Sequence, residues 1–302
     1  MDHLVCKYRI PYRVSIFNTE SRRLSAMIDS VGKLAYNERQ NRHGITEDNM
    51  KIIDFHMHPY LNETENMRFY PGGDKPEEIR PRLEQSGITH ICGSICSKDE
   101  SVSIWQLNDI ALQIWEKLGD YYTPGFHVHP AEVERSLEEI RRMDGLGVRL
   151  MGEVVPYMHG WNDFRNTNYF DQMDGIFAEA EKRGMVFSYH TDWGWKLEDM
   201  IQGHPDLPFV AAHPGERESV ANHIARMRKY ENCYLDISGT GILRLGALEH
   251  LVNNVGADRI LFGTDYPISN HDLYVHCVKV ARISDSDKEK IFHLNAERLL
   301  GL

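Results

Sequence analysis

Between Lys51 and Leu302, short apolar runs alternate eight times with amphipathic stretches, and this rhythm predicts a parallel (β/α)8 barrel, a TIM barrel. Two further observations point the same way. The runs are nearly continuous in apolar residues, as strands covered on both faces must be. Histidines and carboxylates recur at their C-terminal ends, where such a barrel gathers its chemistry. No G-x-G-x-x-G opens a helix after any run, which argues against a doubly wound open sheet.

Each element has its own signal. Lys51 to His56 is rich in Ile and Phe, and a Gly/Pro loop (Pro71-Gly72-Gly73) leads to a helix over Pro76–Ser86, whose first turn carries Glu77 and Glu78 as the helix dipole favours. Ile88–Ile95 is the second strand. Ser101–Leu118 follows as a helix with Ile104, Leu107, Ile110, Ala111 and Ile114 on one face. Tyr121–Phe126 and Ala131–Met143 make the third unit, and Gly147–Val154 and Tyr169–Lys182 the fourth. Met185–Tyr189 pairs with a short helix at Leu197–Ile201, Phe209–Ala212 with Glu216–Lys229, and Cys233–Ile237 with Leu243–Val255. Ile260–Gly263 is the last strand, and Ser286–Leu300 is a closing helix capped by Ser284-Asp285-Ser286-Asp287.

The barrel thus spans residues 51–302, and residues 1–50 form an N-terminal extension that packs on it or on a dimer partner. There Tyr8–Phe17 reads as a strand or arm. Glu20–Gln40 sets Leu24, Met27, Ile28, Val31, Leu34 and Ala35 at helical spacing.

Composition narrows the class. A net charge of -11 without a Lys/Arg block argues against a nucleic-acid or anionic-membrane footprint and leaves a small molecule as the expected partner. Five scattered cysteines suit reduced thiols, and no apolar run forms a membrane span or signal core, so a cytoplasmic protein is expected.

The chemistry begins at Asp54-Phe55-His56-Met57-His58-Pro59. In an extended chain the side chains alternate, so His56 and His58 share one side. With 16 histidines in the chain one H-x-H carries little weight, and His127-Val128-His129 is a second. The weight lies in the other strand ends: Glu153 on the fourth, His190 on the fifth, His213 on the sixth and Asp265 on the eighth, with none read on strands two and seven. Nitrogen and carboxylate donors without thiolate suit zinc first, and manganese, iron or nickel as well, at one or two ions per chain.

These residues also carry a resemblance. The strand-one motif, Ser188-Tyr189-His190, Ala212-His213-Pro214-Gly215, Gly263-Thr264-Asp265-Tyr266-Pro267 and the closing Ile291-Phe292-His293-Leu294-Asn295-Ala296-Glu297-Arg298-Leu299-Leu300 resemble the amidohydrolase superfamily. The likeness covers about Lys51 to Leu302. Within the superfamily it is nearest to the amidohydrolase-related branch that holds aminocarboxymuconate semialdehyde decarboxylase-like enzymes. It implies that His56, His58 and Asp265 bind one metal, with His190 and His213 binding a second or flanking the first. Gly152-Glu153 resembles instead the glutamate bridge of TatD-type hydrolases, and Phe126-His127-Val128-His129-Pro130 is similar to the same relatives.

The expected reaction is hydrolysis of a C-N, C-O or P-O bond by water whose pKa the cation lowers to about 7. Asp265 is the expected proton shuttle, with Glu153 and His213 beside it at the reacting centre. His127, His129, Arg149, Tyr157, Trp193 and Arg217 are the expected substrate contacts, with His159, Trp161 and Trp195 adding to an aromatic cluster. The alternatives are a metal-dependent non-oxidative decarboxylase of an aromatic or dienoic acid, a TatD-like deoxyribonuclease, and a catalytically idle binding barrel.

Overall fold

The computed structural model describes residues 50–302 apart from 71, 73, 159–166, 191–195 and 216. The elements expected within residues 1–49, together with His159, Trp161, Trp193 and Trp195, lie outside the described residues. Eight parallel strands run in sequence order: β1 (Ile52–Asp54), β2 (Ile88–Gly93), β3 (Tyr122–Phe126), β4 (Leu150–Val154), β5 (Val186–His190), β6 (Phe209–Ala212), β7 (Cys233–Asp236) and β8 (Ile260–Leu261). Backbone bonds join the last strand to the first. Phe55 N–H donates to the Phe262 carbonyl at 2.9 Å, Asp265 N–H to His56 at 2.8 Å, and His58 N–H to Tyr266 at 2.8 Å. The sheet is therefore a closed barrel.

Helices return the chain between strands: α1 (Ile79–Gln85), α2 (Ile104–Leu118), α3 (Val133–Gly145), α4 (Thr167–Lys182), α5 (Lys196–Gly203), α6 (Arg217–Lys229) and α7 (Ala247–Val255). The start of α2 shows the local logic. Ser103 Oγ accepts from the Gln106 N–H while Gln106 Oε1 accepts from the Ser103 N–H, so two amides that a helix end leaves open are satisfied. After β8 come α8 (His271–Val280), α9 (Asp285–Glu289) and α10 (Asn295–Leu300).

The single closing helix expected over Ser286–Leu300 is in fact α9 and α10 joined by a wide π-helical turn at Lys290–Leu294. In that turn the Ile291 carbonyl accepts the Phe262 N–H at 2.9 Å, so the segment is tied to the barrel wall. Asn295 Nδ2 donates to the carbonyls of Ala257 and Ile260, both at 2.7 Å.

Two apolar layers result. Most of the core lies between strands and helices. A smaller cluster inside the barrel gathers Ile53, Phe55, Cys92, Leu150, Val186, Val210 and Leu261, with Ala296 and Leu300 of α10 packed against it. On β5, Val186 belongs to this inner cluster, and His190 is two strand repeats further on the same face. The floor of the barrel thereby positions its mouth.

Candidate metal centre

Six of the residues expected at strand ends converge. Glu153 is the hub, and its two oxygens face different histidines. Oε2 lies 3.3 Å from His56 Nε2 and 3.5 Å from His58 Nε2. Oε1 lies 2.9 Å from His190 Nδ1 and 3.5 Å from His213 Nε2. Asp265 Oδ1 closes the first set, 3.4 Å from His58 Nε2 and 3.8 Å from His56 Nε2. Two donor sets, His56/His58/Glu153 and Glu153/His190/His213, thus share one carboxylate.

The local backbone is bent to this purpose. His213 (φ 69) and Asp265 (φ 60) are non-glycine residues in the left-handed region, which costs on the order of 1–3 kcal/mol each. At Gly239 a Cβ would fall 2.2 Å from His213 Nδ1, so only glycine leaves room for that ring.

The electrostatics suit a cation. Burial works against a charge on His56, but the Asp236 and Glu153 carboxylates outweigh it and hold the imidazole well above its ordinary pKa. Burial likewise opposes ionisation of Glu153, yet the nearby His56 ring and the hydrogen bond from His190 hold it well below the carboxylate range. His56 Nε2 and Asp265 Oδ1 are buried with no hydrogen-bond partner. Buried polar atoms left unpaired in this way are costly unless something satisfies them. Nitrogen and oxygen donors around them fit a divalent cation.

Strands two and seven, from which no site residue was expected, orient the ligands. Asp236, the buried last residue of β7, takes the His56 Nδ1–H at 2.9 Å. Ser238 Oγ lies 3.1 Å from both His56 Nδ1 and His213 Nδ1 and donates to Asp236 Oδ1. The carbonyl of Ser94, just past β2, takes the His58 Nδ1–H at 3.0 Å. With each Nδ1 so occupied, the Nε2 atoms of His56, His58 and His213 face the centre. The missed signal was simple: Asp236 ends its strand as Glu153 and His190 end or nearly end theirs.

Several expected substrate contacts are corrected. Arg149 precedes β4, and its guanidinium donates to the carbonyls of Arg183 and Gly184 at 2.7 and 3.4 Å, at the opposite end of the barrel. Arg149 is two strand repeats before Glu153, but the β4–β5 register shifts between Met151 and Val154, so regular alternation does not carry the two side chains to the same face. His127 is fully buried with Nε2 2.7 Å from the Ile95 carbonyl, and burial depresses its pKa to about 4, so it is a neutral scaffold group. His129 Nδ1 accepts the Ala131 N–H at the start of a short helical turn. Arg217 is exposed and lines a separate cleft. Tyr157 does stand at the mouth, its ring edge-on to His190 at 5.5 Å between centroids.

An amidohydrolase family model matches residues 53–302, which is most of the chain and all eight strands except the first residue of β1. The chain belongs to the amidohydrolase family. Among curated proteins it is 36% identical over 136 residues to a gamma-resorcylate decarboxylase of Rhizobium radiobacter; the match covers 44% of this chain and 42% of that protein, less than half the relative's length. Among solved structures, a TIM-barrel protein of Bordetella bronchiseptica superposes with a TM-score of 0.66 at 23% identity, over 83% of this chain and 99% of that one. A dihydroxybenzoic acid decarboxylase of Polaromonas sp. JS666, with bound manganese and the inhibitor 2-nitroresorcinol, gives 0.55 at 18%, over 84% and 97%. At these identities the two structures establish the fold.

The curated relatives overturn hydrolysis as the expected reaction, because the enzymes matched among them are decarboxylases. The physical reason is that one donor set serves either chemistry: imidazoles and carboxylates around a cation can activate water or anchor a carboxylate.

Proposed function

We propose that this chain is a metal-dependent, non-oxidative decarboxylase of a small carboxylated aromatic acid. The observation that carries the reading is the 36% identity to a gamma-resorcylate decarboxylase, taken with a mouth in which His56, His58, Glu153, His190, His213 and Asp265 converge. His56, His58 and Asp265 would hold the ion, with Glu153, His190 and His213 completing or extending its shell. When bound, a divalent cation supplies a Lewis-acid anchor for the acid's oxygens. Manganese is the first ion to try, as in the Polaromonas structure, followed by zinc.

In the reaction the bond from ring carbon to carboxylate breaks, its electron pair stays on the ring, carbon dioxide leaves and the ring carbon takes one proton. Asp265, with its buried Oδ1 facing the mouth, is assigned to deliver that proton and to recover it from water. Tyr157 beside His190 offers an aromatic edge for the substrate ring. Among the described residues no helix is long and apolar enough to cross a membrane, and the described cysteines are unpaired. We place the reaction in the cytoplasm.

The test is carbon dioxide release by manganese- or zinc-loaded protein from 2,6-dihydroxybenzoate, 5-carboxyvanillate and related phenolic acids. Turnover of one of them, abolished by chelator and restored by metal, is the expected result. No release from any acid by protein that holds its metal would overturn the reading.

A further inference from the structure

Behind the donors, one hydroxyl stands between the two sets. Ser238, fully buried just past β7, puts its Oγ 3.1 Å from His56 Nδ1 and 3.1 Å from His213 Nδ1, and the two rings lie 5.2 Å apart between centroids. His56 belongs to the donor set with His58, and His213 to the set with His190. A serine hydroxyl carries a single proton, so the direction of each bond around it follows from what its neighbours can donate.

Burial opposes a charge on Asp236, but the His56 ring outweighs it and holds the carboxyl below its usual range, so Asp236 accepts and does not donate. Its Oδ1 takes the Ser238 hydroxyl proton and, at 2.9 Å, the Ser238 N–H. Its Oδ2 takes the His56 Nδ1–H at 2.9 Å. With its proton committed to Asp236, Ser238 Oγ is left to accept from an imidazole. The His56 proton already has the closer acceptor, so the remaining partner is Nδ1–H of His213. The chain of donation runs from His213 to Ser238 to Asp236, and His56 joins the same carboxylate from the other side. A Cβ at Gly263 would fall 2.9 Å from His56 Cβ, 3.2 Å from Ser238 Cβ and 3.3 Å from Asp236 Oδ1, so glycine there lets the three close up. At the far end of its ring, His213 Nε2 lies 3.5 Å from Glu153 Oε1.

We propose that Ser238 is a positioning residue: it fixes the His213 proton on Nδ1, turns Nε2 to the centre, and ties this ring through Asp236 to His56, so that the two donor sets are aligned as one unit. The proposal rests on the cation reading of the centre and not on which bond is broken there.

Imidazole nitrogen NMR of the metal-free full chain at about pH 8, above the ordinary imidazole range, tests it. The His213 signals are identified by their loss from His213→Gln. In the wild type His213 is expected as the Nδ1–H tautomer. Ser238→Ala should move it toward the Nε2–H tautomer, and Ser238→Thr, which keeps the hydroxyl, should not. Asp236→Ala should act on His213 from one residue further away, because without that carboxylate the hydroxyl proton is free to turn to either ring. An unchanged His213 in Ser238→Ala overturns the proposal, and an unchanged His213 in Asp236→Ala overturns the link between the sets. Competition with a chelating dye gives a second readout: Ser238→Ala should weaken zinc binding about tenfold. A wild type that shows the Nδ1–H tautomer but takes up no zinc would sink the cation reading while leaving the hold of Ser238 on His213 in place.

Discussion

The two ends of the same eight strands differ in kind. At the floor, Ile53, Leu150, Val186, Val210 and Leu261 meet Ala296 and Leu300 in an apolar plug. At the mouth, His56, His58, Glu153, Asp236 and Asp265 are just as buried, yet ionisable. Fully burying an apolar side chain stabilises by about 1.5–3 kcal/mol, whereas taking an ion out of water costs several kcal/mol. The floor stabilises the barrel, and the mouth spends part of that stability to keep strained, desolvated ligands in place.

The contrast is sharpest at Asp265. Asp265→Asn should lower turnover about 10³-fold while the protein keeps most of its metal and melts no lower than wild type. Rate, metal content and melting curve read the three parts separately, and wild-type turnover would remove Asp265 from the chemistry. Leu261→Ala at the floor should do the reverse, costing about 3 kcal/mol in denaturant unfolding with kcat of the folded enzyme unchanged. A fall in kcat at equal folded fraction would mean that floor and mouth are not separable.

Asp236→Asn tests the layer between them. Removing the anion that fixes the His56 ring should weaken metal binding about 10- to 100-fold in competition with a chelating dye, with little effect on the substrate KM. Unchanged metal affinity would reduce Asp236 to a packing residue.

The smallest effect concerns acid. Burial, aided by Arg226, depresses the His223 pKa to about 4, below its unfolded value near 6.5. Between those values the unfolded chain binds the extra proton, so stability falls as pH drops through this window. At pH 5 the loss from His223 alone is about 2 kcal/mol. It should be seen in chelator-treated protein and be absent from His223→Gln. A variant with the same acid sensitivity would place the titration elsewhere.

Much of the mouth was legible because a strand's period of two and a barrel's common exit make ligands recur at strand ends. His56, His58, Glu153, His190, His213 and Asp265 come together there, as that rule leads one to expect of candidate ligands. Asp236 obeyed it too but was passed over, since an aspartate that grips a ligand from behind leaves no motif of its own. Arg149 was misplaced because the irregularity between Met151 and Val154 breaks the alternation on which such counting depends. The reaction itself was not legible, because ligand types specify a cation and not the bond broken near it.

Asp54 takes the Thr264 N–H at 3.0 Å across 210 residues of chain, and His56 and Asp265, on either side of that bond, belong to one cluster. Loop-closure entropy grows with such separation, so contacts of this kind form late. During synthesis His56 and His58 leave the ribosome long before Asp265 does. An ion met by the nascent chain would then find an incomplete set of donors, and the choice of metal would fall to the finished barrel.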